Sequence, residues 1–193
     1  MIESKKDLKA YLREDLRMMQ IDPPEWRFRL RFKEKNLQLV RLLRRSEYWN
    51  NCRRRDPVGK LVAALLRYRM LRLSEKLGCY LPRNCCGPGL GIAHPTMVRM
   101  NGEARVEGRL RIGVGAILTH GGSGAPQVGK DVYIGPYAVV VGPVTIGDGA
   151  EIRIGSVVTK DVPAGAVVQG VPAEVVRVDP GRIPWSPDSP TLK

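Results

Sequence analysis

Residues 128–163 read VGKDVY-IGPYAV-VVGPVT-IGDGAE-IRIGSV-VTKDVP, six blocks of six. The first position of every block is aliphatic: Val128, Ile134, Val140, Ile146, Ile152 and Val158. The position four further on, Val132, Ala138, Val144, Ala150, Ser156 and Val162, is small or β-branched. Glycine follows the aliphatic position at Gly129, Gly135 and Gly147. Short strands with a turn every six residues describe a parallel β-helix of triangular coils, in which the aliphatic row stacks inside. Upstream, Met100, Val106, Ile112 and Leu118 keep the same step. The step slips over residues 119–127, which predicts a projecting loop of about four extra residues.

The rest of the chain has another composition. Of 21 glycines, 19 lie after residue 80. Residues 1–80 hold 21 basic and 10 acidic residues, whereas residues 81–193 hold 11 and 9. Two architectures are expected, with a boundary between Gly78 and Pro88. Val58, Leu61, Val62, Leu65, Leu66, Met70, Leu73 and Leu77 recur at helical steps, with Arg67, Arg69, Arg72 and Lys76 around them and Gly78 as a stop. Leu8, Tyr11, Leu12 and Leu16 predict a shorter helix before Asp22-Pro23-Pro24, and Leu39, Leu42 and Leu43 face inward on a third over residues 31–48. The expected fold is mainly β, with an N-terminal basic α-helical domain at 1–80, a β-helix domain at 81–178 and an extended tail at 179–193.

With 43% hydrophobic and 26% charged residues among 193, the chain can fill a core and is not a disordered polymer. The absence of a triplet period excludes collagen. No run of 18 apolar residues predicts a membrane span, and the start, Met1 to Lys6, has no apolar signal core, so a cytoplasmic protein is expected. Cys52, Cys79, Cys85 and Cys86 show no paired CxxC spacing and have two histidines to join them, which argues for reduced thiols and against a metal site. The basic helices suit nucleic acid, an anionic membrane surface or an anionic ligand. Without a nucleic-acid motif the plainer reading is a solvated face on a helical cap, and no nucleic-acid partner is expected.

The repeat ends in Gly170-Val171-Pro172-Ala173. Together with the periodicity, that ending resembles the left-handed β-helix acyltransferases. Residues 87–94, GPGLGIAH, followed by residues 119–124, THGGSG, are similar to the serine acetyltransferase family, closest to its short members from polysaccharide gene clusters. The resemblance implies the left-handed coil, a homotrimer that can pair into a dimer of trimers, and acetyl-CoA as co-substrate, bound in a groove between subunits. It makes His94 the general base, and an imidazole near neutrality can take a hydroxyl proton as the oxygen attacks a thioester. It places His120, Gly121 and Gly122 along the substrate groove, with N–H groups of residues 121–124 as oxyanion donors. Thr159, Lys160 and Arg177 match coenzyme-binding positions, and Ala138 and Ser156 stand where the pantetheine arm approaches the coil.

The family pattern is not complete. Biosynthetic serine acetyltransferases carry a carboxylate before the histidine and another fifteen residues upstream, where this chain has Ala93 and Cys79. Gly124-Ala125 replaces an Arg-His pair that addresses the serine carboxylate, and Glu174 stands where relatives often carry arginine. A sugar or polysaccharide-precursor hydroxyl is therefore the expected acceptor, with L-serine as the alternative. A carbonic-anhydrase-like zinc enzyme on this fold needs three histidines and the chain has two. A non-catalytic trimeric scaffold or anion-binding module is the remaining alternative.

Overall fold

The computed structural model describes residues 1–21, 34–53, 55–94, 97–181 and 183–184. The proline break at 22–24, the start of the predicted third helix and the tail from 185 lie outside the described residues.

Three helices lead the described chain: α1 (Lys5–Met18), α2 (Lys35–Cys52) and α3 (Pro57–Leu77). The Ser4 hydroxyl accepts from the Asp7 N–H to start α1, and the Asp56 carboxylate accepts from the Val58 N–H to start α3. Pro57 stands in the first turn of α3, and Gly78 ends it at φ 63, a left-handed conformation natural to glycine. The predicted third helix therefore runs four residues further than expected, to Cys52.

The coil follows in three faces. The six-stranded face contains β1 (Leu90–Ile92), β4 (Leu110–Ile112), β7 (Tyr133–Ile134), β10 (Glu151–Ile152), β12 (Ala166–Gly170) and β13 (Ala173–Val178). The four-stranded face contains β2 (Arg99–Met100), β5 (Ile117–Thr119), β8 (Val139–Val141) and β11 (Val157–Val158). The three-stranded face contains β3 (Arg105–Gly108), β6 (Gln127–Lys130) and β9 (Thr145–Ile146). Pairing is parallel throughout, except that β13 turns back antiparallel on β12 at Val171-Pro172 and closes that end.

Side-chain burial follows the two rows read from sequence. Every aliphatic position from Val128 to Val158 and every companion from Val132 to Val162 is buried. Ile134 pairs with Ile152, 18 positions on, which is three blocks of six. Ile112 pairs with Ile134, 22 positions on, so the predicted four-residue insertion sits between β5 and β6. A second insertion escaped the sequence reading: Ile92 pairs with Ile112, 20 positions on, and the two extra residues fall between β1 and β2.

The helices close the first coil. The outer edge of β1 would present unpaired backbone groups. Asp15 Oδ1 accepts from the Gly89 and Leu90 N–H groups at 3.0 and 2.7 Å, and Asn36 Nδ2 donates to the Ile92 carbonyl at 3.1 Å. Arg44, wholly buried, locks this contact. It donates to Asp15 through Nε and Nη2, to Glu47, and to the carbonyls of Cys86 and Gly87 at 2.8 and 2.6 Å, with its guanidinium 4.8 Å from the Tyr11 ring centre. Burial alone would loosen the guanidinium's hold on its proton, but the Asp15 and Glu47 carboxylates outweigh it and hold the proton more firmly than usual.

The apolar stripe of α3 divides. Met70 and Leu77 are buried, whereas Val58, Leu61 and Leu65, expected in the same stripe, face outward. The four cysteines are free thiols, and burial pushes Cys86 up to about 12. Among the described residues no helix is long and apolar enough to cross a membrane.

Candidate active site

The coil lengthens its six-residue step twice, and each insertion carries one of the two histidines; it also shortens once, where Ile152 pairs with Val168, 16 positions on. His94 follows β1, at the edge where the chain passes from the six-stranded to the four-stranded face. His120 follows β5, at the edge between the four-stranded and three-stranded faces. Both side chains are exposed. An insertion pushes the backbone out of the stacked coil, which gives a histidine reach that a corner residue facing the interior lacks.

The other candidate residues, Arg177 apart, sort onto the same two edges. Ala138, between β7 and β8, and Ser156, between β10 and β11, share the His94 edge. Thr159 and Lys160 follow β11 on the His120 edge, exposed to solvent. Arg177 lies in β13 on the six-stranded face, paired with Asp179 at 2.8 Å. A single chain thus places the two histidines on either side of the four-stranded face and does not bring them together.

Several expectations change in detail. Ala138 and Ser156 are fully buried and turn their side chains into the coil, so only their backbone is turned outward. The Ser156 hydroxyl already accepts from the Gly170 N–H. In the loop after His120, the Gly121 N–H is spent on the Gly124 carbonyl at 3.0 Å and the Ser123 N–H on the Gly121 carbonyl at 2.7 Å. Among the described residues the N–H groups of Gly122 and Gly124 have no backbone partner, so the loop offers fewer free donors than expected. The loop rests on the next coil: a Cβ on Gly121 would come within 2.6 Å of the Gly142 Cα.

Three features were missed by sequence reasoning. Glu103 Oε2 stands 3.6 Å from His120 Nε2, giving His120 a carboxylate neighbour. Cys79, at the position of the family's upstream acid, is buried and donates its thiol to the Leu77 carbonyl. A cavity of about 300 Å³ opens between the helices and β1, and Glu34, Asn36, Ala93 and Arg111 line it. Arg111 Nη1 is buried there without a hydrogen-bond partner. This cavity brings an acidic and a basic residue, Glu34 and Arg111, to one lining outside the family motif. A second cavity of about 480 Å³, lined by Tyr133, Glu151, Arg153, Gln169 and Arg177, lies on the six-stranded face beside the His94 edge.

A model of the bacterial transferase hexapeptide (six repeats) matches residues 125–160. Serine acetyltransferase 2 of Arabidopsis thaliana is 35% identical over 141 residues, covering 67% of this chain and 39% of that protein. The crystal structure of Neisseria gonorrhoeae serine acetyltransferase in complex with serine superposes with a TM-score of 0.69 at 28% identity, covering 90% of this chain and 71% of that one. The chain is a hexapeptide-repeat protein, serine acetyltransferase-like in fold.

The hexapeptide resemblance extends to a different acceptor class. The 2,3,4,5-tetrahydropyridine-2,6-dicarboxylate N-acetyltransferase of Staphylococcus aureus (strain JH9) is 43% identical over 72 residues, 35% of this chain and 30% of that protein. The chain spans less than half the length of these two curated relatives. They share acetyl transfer in name and differ in what receives it.

Proposed function

We propose that the protein is an acetyl-CoA-dependent O-acetyltransferase whose active site forms where the His94 edge of one subunit meets the His120 edge of a neighbour in a homotrimer. The observation that carries this reading is the placement of the two histidines at the two insertions in the six-residue step, on opposite edges of one face. His94 takes the proton of the acceptor hydroxyl as its oxygen attacks the thioester carbonyl. The tetrahedral oxyanion receives hydrogen bonds from Gly122 and Gly124 N–H. Collapse breaks the carbon–sulfur bond, and the thiolate of coenzyme A takes the proton back from the imidazolium. Lys160 and Thr159 attract the coenzyme's phosphates, with Arg177 contributing from the far face. Free thiols and the supply of acetyl-CoA suit a cytoplasmic site of action.

The first acceptor is a hydroxyl of a sugar or polysaccharide precursor, which needs no paired charges. A second reading, L-serine, is favoured by Glu34 and Arg111 in the cavity beside Ala93, an anion for an ammonium and a cation for a carboxylate. Release of free coenzyme A, measured with L-serine and with a panel of sugars and nucleotide-sugars, separates them. Acceptor-dependent release falling about 100- to 10,000-fold in His94→Ala is expected; release unaffected by the substitution would refute His94 as base. If serine is the acceptor, Arg111→Met raises its KM about tenfold or more with kcat little changed. If sugars are, Arg111→Met leaves their KM alone.

A further inference from the structure

The outward face of α3 presents a row the fold does not use. Val58, Leu61, Leu65 and Tyr68 follow each other at steps of three, four and three, and all stand exposed, Leu61 at 71% and Leu65 at 55%. The opposite side of the helix, Gly59, Met70, Ser74 and Leu77, is buried. A Cβ on Gly59 would fall 2.0 Å from the Arg53 carbonyl oxygen, so the inner face is already in close contact. Around the exposed row stand Lys60, Arg67, Arg69, Arg72 and Lys76, all exposed. At about 100° per residue, Lys60 and Arg67 fall on one flank of the row and Arg69 on the other. Within α3 the one acidic residue is Glu75.

We propose that this face docks on an anionic lipid bilayer, with α3 lying in the interface plane. Apolar residues enter the acyl boundary, while the flanking cations reach up to lipid phosphates along their own alkyl stems. The helix lies on the membrane and does not span it, because no 18-residue window among the described helices is apolar enough. Charge decides against a second copy of the same helix: Arg72 occupies the next step of the row after Tyr68, and like-charged flanks would face each other. Nucleic acid would pair the cations but leave four large apolar side chains in water.

The test is sedimentation of the full-length protein with vesicles of phosphatidylcholine alone and of phosphatidylcholine with phosphatidylglycerol. Binding to the anionic vesicles that weakens with added salt is expected. Leu61→Ser with Leu65→Ser should weaken it at least tenfold, and each of Arg67→Gln, Arg69→Gln and Arg72→Gln about fivefold. These positions are exposed, and unchanged thermal melting of the variants shows that the fold is kept. Equal binding to both vesicle types, or to neither, overturns the proposal. So does self-association in the ultracentrifuge that the leucine pair abolishes, which would make a second copy the occupant. Salt-sensitive RNA binding without vesicle binding would hand the face to nucleic acid.

Discussion

Arg44 and Asp15 show how one residue pair ties two architectures together. Asp15 serves two masters: its Oδ1 receives the Gly89 and Leu90 N–H groups, and both of its oxygens receive the Arg44 guanidinium. Asp15→Asn keeps the shape but leaves a buried cation facing Glu47 alone and turns an amide donor toward other donors. A loss of about 3 kcal/mol is expected, read as a lowered urea midpoint. A midpoint within error of the wild type would show that the helices do not depend on this contact. Nothing in the sequence singles out Arg44 from the other arginines around it. Its role depends on the Cys86 and Gly87 carbonyls, forty positions away, which a helical periodicity does not reveal. The same holds for Arg111 and Glu34, which meet across a cavity between elements. His94 was singled out because its flanking residues form a recognisable motif, and its role as base rests on the proposed function.

At the scale of elements, the coil was legible because burial in a β-helix repeats with a fixed number: every sixth side chain from Val128 to Val158 faces the same interior. The insertion after β5 was visible as a break with in-step residues on both sides. The smaller insertion after β1 was not, because one short strand precedes it and sets no period. On α3 the pattern misled for a physical reason. Leucines occupy both sides of the helix, and a 3.6-residue period locates apolar faces without saying which one is inward. The loop after His120 offers an element-level test. Gly121→Ala drives a Cβ to 2.6 Å from the Gly142 Cα, whereas Gly122 has φ 70 and open space around it. Gly121→Ala should lift the loop from the next coil, lowering coenzyme A release tenfold or more along with the melting temperature. Gly122→Ala should cost about 1 kcal/mol through its backbone conformation. Equal, small effects on melting and turnover would mean that the loop's seat on the coil does not position the donors.

The coil carries His94 and His120 on separate edges, and its buried rows leave little freedom to bring them together. Subunits related by a three-fold axis can join one edge to another heterologously and close after three copies. The lipid-facing helix would then be presented three times, each copy adding to attachment by raising the effective concentration of the others. Subunit mixing tests the shared site most directly. His94→Ala spoils one edge, and Thr159→Glu with Lys160→Glu spoils the other. Each variant alone should release almost no coenzyme A from acetyl-CoA in the presence of the acceptor. After the two are unfolded together and refolded in equal amounts, about a quarter of the junctions should pair an intact His94 edge with an intact Lys160 edge. Recovery of about a quarter of wild-type turnover is predicted. A mixture as inactive as its components would contradict a site shared between subunits.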